Sequence, residues 1–126
     1  MTQLVLDAGA FVAFDKGDAG IRARLNAARR LGFELATTAP VVAQVWRDGR
    51  RQALLATLLS ATRVDPPDEA AARRAGELLA KTKTRDVVDA LIIGIARDGD
   101  SILTSDPDDL RVLLAAARIR ATLITI

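Results

Sequence analysis

Asp86 and Asp89 stand three residues apart at the head of an apolar stretch. A helical turn takes about 3.6 residues, so both carboxylates share one helix face. Asp106 follows Ile102-Leu103-Thr104-Ser105, and Asp7 follows Leu4-Val5-Leu6. Each of these two acids sits where a short apolar strand gives way to a helix. Open α/β sheets bind ligands at the carboxyl ends of their strands, so acids from distant segments are expected to meet at one sheet edge. Three or four carboxylates there repel one another unless a cation neutralises them. We read that edge as a divalent-metal site. Two metals roughly 4 Å apart, bridged by carboxylates, activate water and stabilise the leaving oxygen in phosphodiester hydrolysis, and they require no histidine.

Composition narrows the chemistry further. The chain has 126 residues, no cysteine and no histidine. Disulfides, thiolate nucleophiles and zinc-thiolate sites are excluded, and the commonest general base is missing. The remaining donors are oxygens, which favours Mg²⁺ or Mn²⁺. The formal charge is only +2, yet arginines gather at 22–30, 47–51 and 73–74, and Lys81, Lys83 and Arg85 precede the acidic helix. A basic surface around an acidic centre suits a polyanion, although solvated helix faces are the plainer reading of any one cluster. Met1-Thr2-Gln3 runs straight into the first strand and no apolar run is long enough for a bilayer, so neither a signal peptide nor a membrane span is expected. A cytoplasmic protein that avoids membranes is expected.

The elements that must position these acids alternate. Leu4-Val5-Leu6 predicts a buried parallel strand, followed by a short helix over 8–14 and a longer one capped by Asp18 and ended by Gly32. Residues 33–37 predict a second strand. Pro40 suits the first turn of a helix carrying Val41, Val42, Val45 and Trp46 at helical spacing, with Gln44 off that stripe. A lone tryptophan on an apolar helix face is read as core, base stacking being the rarer use. Asp48-Gly49 breaks the chain before a helix over 50–60. Arg63-Val64-Asp65 predicts an edge strand, because Pro66-Pro67 cannot donate to a ladder. A helix over 68–79, the acidic helix from 86, a helix over 108–118 and a last strand over 121–126 complete the chain. The expected architecture is a single domain, 1–126, folded as a three-layer α/β/α sandwich on a mainly parallel sheet.

Every acid also has a plainer explanation. Asp7 and Asp106 could cap helices, and Pro107, Asp108 and Asp109 make a favourable first turn. Asp86 could cap its helix, with Asp89 reaching back as a capping-box partner. Capping accounts for each position separately, but not for their convergence.

Taken in order, Leu-Val-Leu-Asp7, Val-Val-Ala-Gln-Val-Trp-Arg over 41–47, Asp-Val-Val-Asp89-Ala-Leu-Ile-Ile-Gly-Ile-Ala, and Thr104-Ser105-Asp106 followed by Asp-Asp-Leu resemble a PIN domain. The resemblance covers essentially the whole chain and is nearest to the VapC-type toxins of bacterial toxin–antitoxin pairs. It implies a Mg²⁺- or Mn²⁺-dependent endoribonuclease acting on RNA, restrained by a VapB-type antitoxin and often a homodimer. The family's acids fall on Asp7, position 44, Asp89 and Asp106, with Asp7, Asp89 and Asp106 as metal ligands; Asp86, one turn before Asp89, is a candidate auxiliary acid by its spacing. Position 44 departs from the pattern, being Gln where the family has Glu, so the site loses one unit of attraction for its cation. Asp48, one turn on, is a weaker compensating candidate. Thr104 and Ser105 could orient a water or Asp106 by hydrogen bonding. Arg47, Arg50 and Arg51 could hold RNA phosphates or an antitoxin carboxylate.

Two functions are therefore set against each other: an active ribonuclease, and a degenerate PIN domain that binds RNA or antitoxin but turns over poorly because of Gln44. A phosphoacceptor resembling response regulators fits less well, since it expects a lysine near the last strand and residues 118–126 contain none.

Overall fold

A computed structural model describes residues 1–126. Strand β1 (Gln3–Leu6) leads through α1 (Ala8–Asp15) and α2 (Ala19–Arg30) to β2 (Glu34–Thr38). Helices α3 (Ala39–Val45) and α4 (Ala53–Ser60) then lead to β3 (Arg63–Asp65), and α5 (Glu69–Thr82) and α6 (Val87–Ile95) to β4 (Ser101–Thr104). Helix α7 (Pro107–Ala117) and β5 (Thr122–Thr125) close the chain. The five strands form one sheet in the order β3-β2-β1-β4-β5, every neighbouring pair parallel.

β1 lies at the centre because its four residues are all buried. A strand covered on both faces reads as a near-continuous apolar run, which Leu4-Val5-Leu6 provides, and the buried Gln3 before it is satisfied by hydrogen bonds. Helix α1 packs against α2, α3 and α4, whereas α5, α6 and α7 pack against one another, forming a layer on each side. Phe11 and Leu55 of the first layer and Ile92, Ile93, Leu110 and Leu113 of the second are almost completely buried, as are Leu6, Ile102 and Leu103 in the sheet. Each such side chain contributes roughly 1.5–3 kcal/mol through burial. This is the expected α/β/α sandwich, with β3 at the edge as the two prolines require. No helix is long and apolar enough to cross a membrane.

The amino end of the sheet is fastened by polar groups. Gln3 donates its backbone N–H (2.9 Å) and its side-chain amide (2.7 Å) to the two oxygens of Asp100, and the same amide reaches the Ile95 carbonyl at 3.0 Å. Arg63 donates to the Gln3 side-chain oxygen and pairs with Glu34 and Asp65. Asp100, just before β4, is therefore a structural acid at the end of the sheet opposite Asp7 and Asp106.

Two expectations change here. The helix predicted from Arg50 starts only at Ala53, because the Gln52 side chain accepts the N–H groups of Arg47 (2.8 Å) and Asp48 (3.0 Å) and so stabilises a turn. Trp46 is not core. It is 38 % exposed, since α3 ends at Val45 and the chain has left the helical path before Trp46 is reached.

The strand ends at the opposite edge approach closely. A methyl group on Gly9 would lie 2.5 Å from Ser105 Oγ and 2.9 Å from its Cβ. Gly9→Ala is expected to destabilise the fold by about 1–3 kcal/mol in urea denaturation, through overpacking against β4's end. Arg118, left-handed at φ 57° after α7, is the opposite case: Arg118→Gly should raise stability by about 1 kcal/mol.

Candidate metal centre

The register places Leu6 beside Leu103, so the residues that follow each strand emerge together at the carboxyl edge. Asp7 N–H donates to the Leu103 carbonyl at 3.1 Å, which continues the ladder by one residue. One Asp7 carboxylate oxygen accepts from Ala8 N at 2.7 Å, and the other accepts from the Thr104 hydroxyl at 3.0 Å. The Thr104 oxygen in turn accepts from Asp106 N at 2.9 Å. One buried hydroxyl thus sets both Asp7 and the backbone at Asp106. Ser105, in contrast, is exposed and lies against Gly9.

Capping explains some of the acids and not others. Asp86 does cap α6, accepting from Asp89 N at 2.9 Å. Asp89 does not reach back: no hydrogen-bond donor meets its carboxyl, although the residue is only 7 % exposed. Asp106 precedes α7 without capping it by its side chain. The two carboxyls that helix capping leaves free are those of Asp89 and Asp106.

The field around them is strongly negative. Burial, followed by the charges of Asp86, Asp7, Asp109 and Asp106, raises the Asp89 carboxyl from 3.8 to about 7. The Asp106 carboxyl is also raised, above all by Asp109, whose side chain lies in hydrogen-bond contact with it, and more weakly by Asp7 and Asp108. The predicted acids Asp7, Asp86, Asp89 and Asp106 therefore share one electrostatic neighbourhood. Asp109 belongs to it too and was read only as a helix-start acid. Its spacing of three from Asp106 is the same one-face signal that singles out Asp86 and Asp89.

Thr84, Arg85, Asp86, Asp89 and Asp109 line a cavity of about 190 Å³ beside the acids. A larger cavity of about 600 Å³ lies along α5 and α6, is lined mostly by apolar groups, and contains none of these acids. Gln44 is exposed on α3, and no hydrogen bond joins it to the acids. Asp48 is occupied in its own loop, accepting from Arg50 N at 3.0 Å with Arg51 at 4.0 Å. Arg47 turns its guanidinium onto the Ala43 and Trp46 carbonyls, and Arg47, Arg50 and Arg51 are all exposed.

No three acidic side chains close around a single point in this conformation. The donor set nevertheless suits a hard divalent cation, being all oxygen and carrying unneutralised charge. The Thr38 hydroxyl, at the carboxyl end of β2, is also buried there without a partner.

The raised Asp89 carboxyl has a measurable consequence. Between 3.8 and about 7 the folded chain holds a proton that the unfolded chain has released. This contribution to stability is complete below the lower value and is lost as pH rises through the upper one. In EDTA, thermal melting of the wild type should fall from pH 5.5 to pH 8 more than that of Asp89→Asn. Mn²⁺ should raise the melting temperature more at pH 8 than at pH 5.5, because it competes with that proton.

Sequence comparison with curated proteins finds no significant match. Among solved structures, the chain is similar to one in the crystal structure of VapBC2 from Rickettsia felis bound to a DNA fragment from their promoter. The TM-score is 0.72 at 13 % identity, covering 98 % of this chain and 99 % of the other, a likeness of fold. The family model described as PIN domain matches residues 4–120. With nearly its whole length matched and its acids gathered at the carboxyl edge of a parallel sheet, the chain belongs to the PIN domain family.

Proposed function

We propose that the protein is a metal-dependent endoribonuclease, the toxin of a VapBC-like pair, acting on RNA in the cytoplasm. The observation that carries this reading is the Asp89 carboxyl, buried, without a hydrogen-bond donor and surrounded by four further carboxylates. Such an arrangement costs stability in the chain by itself and becomes favourable with a divalent cation beside it. PIN domains are generally nucleases that use divalent metals, and the oxygen-only donors fit Mg²⁺ or Mn²⁺.

Asp7, Asp89 and Asp106 would hold the cation, with Asp86 and Asp109 adding charge at the rim. When bound, the cation supplies an activated water and neutralises charge building up on the scissile phosphate. The chain's own groups do the positioning. Thr104 keeps one Asp7 oxygen pointed away from Ala8 and fixes the backbone of Asp106. Asp89, raised to about 7 by burial and its neighbouring carboxylates, would give up its proton as the cation binds. A VapB-type antitoxin is the proposed restraint and a homodimer the proposed assembly. The VapBC2 likeness supports the antitoxin.

Gln44 favours a second reading, a degenerate domain that binds without efficient turnover, because it is exposed, neutral and separate from the acids. Asp7→Asn is expected to lower RNA cleavage about a hundredfold or more while circular dichroism stays native; undiminished cleavage would refute the nuclease reading. Gln44→Glu separates the two functions. If the wild type is already active, Mn²⁺ affinity by calorimetry and turnover will change by less than about threefold, whereas a tenfold gain in both identifies a degenerate site.

A further inference from the structure

The chain's one tryptophan stands in the open. Trp46 follows the last residue of α3 and is 38 % exposed, with its ring laid on Gly49. A Cβ on Gly49 would come within 2.8 Å of Trp46 Cζ2, so any side chain there would take the ring's place. A singly exposed aromatic is ordinary, but this one is fixed. Gln52 Oε1 accepts from Arg47 N and Asp48 N, and Gln52 Nε2 donates to the Val45 carbonyl at 2.8 Å. The Arg47 guanidinium donates to the Trp46 carbonyl at 2.7 Å and to Ala43's at 3.0 Å.

The loop that follows the ring carries Arg47, Arg50 and Arg51 against one acid, Asp48, and all three arginines are exposed. Arg50 pairs with no carboxylate, and Arg51 reaches Asp48 only at 4.0 Å with both side chains exposed, a contact worth little. An exposed indole followed in the same loop by two arginines that make no strong ion pair matches a nucleobase attached to its phosphates. Helix α3 starts at the carboxyl end of β2 and is seven residues long, which sets Trp46 about 10 Å along it from the edge where the acids gather.

We infer that Trp46 is a stacking platform for a base of single-stranded RNA, with Arg50 and Arg51 holding the adjoining phosphates. The inference rests on the ribonuclease reading for its ligand, but it concerns binding alone. Stacking on an aromatic is sequence-tolerant, since every base has a π-face, so the platform holds the strand without choosing its sequence. The exposed charged groups of the adjoining loop are mostly cationic, which a phosphate backbone meets at every nucleotide.

The absence of tyrosine and of any second tryptophan makes the ring its own reporter. With the wild-type chain in EDTA, titration with an unstructured RNA octamer should quench Trp46 fluorescence, while polyphosphate of equal charge should not. By anisotropy of the labelled octamer, Trp46→Ala should bind about tenfold more weakly, and Trp46→Phe should recover most of that loss. Replacing Arg50 and Arg51 together by Ala should reduce the slope of log affinity against log salt by about 1.4, two phosphates' worth. Equal binding by Trp46→Ala, or equal quenching by polyphosphate, overturns the platform even if the wild type cleaves RNA. RNA-dependent quenching without cleavage in Mn²⁺ upholds the platform and removes the nuclease instead. Quenching by a co-expressed antitoxin but not by RNA assigns the surface to protein and overturns the inference.

Discussion

Like charges held together without neutralisation are the constraint on which this molecule turns. Five aspartates from three segments feel one another at the carboxyl edge of the sheet, and one of them, Asp89, is buried among the others. Nothing in the chain donates a hydrogen bond to it. A fold that tolerates such an arrangement must be firm elsewhere. The firmness lies in the nearly complete burial of β1 and β4 and in the ladder between them, which ends as Asp7 meets the Leu103 carbonyl. Thr104 continues that order into the side chains by tying Asp7 to the backbone of Asp106. The Asp7 carboxylate and the backbone of Asp106 are thus held in position, a condition for electrostatic preorganisation.

The two ends of the same sheet treat the same residue type in opposite ways. At the amino end, Asp100 is more deeply buried than Asp89, yet both its oxygens accept hydrogen bonds from Gln3 and a further one comes from Arg97 N at 2.8 Å. A buried carboxylate with that many donors is a fastening. At the carboxyl end, Asp89 has none, and Thr38 carries a hydroxyl without a partner. The difference between the two acids lies in the donors around them.

The face reached through α3 and α4 carries the chain's departures from expectation. Gln44 removes a charge from the position where the resemblance implies one, and the loop after it turns outward. Gln52 accounts for that loop, because one side-chain amide satisfies backbone groups at residues 45, 47 and 48 that a continuing helix would otherwise satisfy. Trp46 consequently lies on Gly49 instead of in the core. On the opposite flank of the acids, Asp109 adds a carboxylate beside Asp106.

Much of this was legible in the residues themselves. The alternation of apolar strands with helical stretches predicts the parallel α/β/α arrangement, and the paired prolines after Asp65 predict which strand lies at the edge, because both follow from local backbone chemistry and periodicity. The two-aspartate face of α6 and the strand-end positions of Asp7 and Asp106 follow in the same way. Tertiary structure alone decided which acids capping would consume, because that depends on the conformation each helix start adopts: Asp86 and one oxygen of Asp7 accept from the first amides of their own helices, whereas Asp89 and Asp106 are left. It also decided that Asp100 is a fastening, that Asp109 joins the group, and that Trp46 faces water. Spacing along a chain determines which side chains share a face, but only the folded arrangement determines what that face meets.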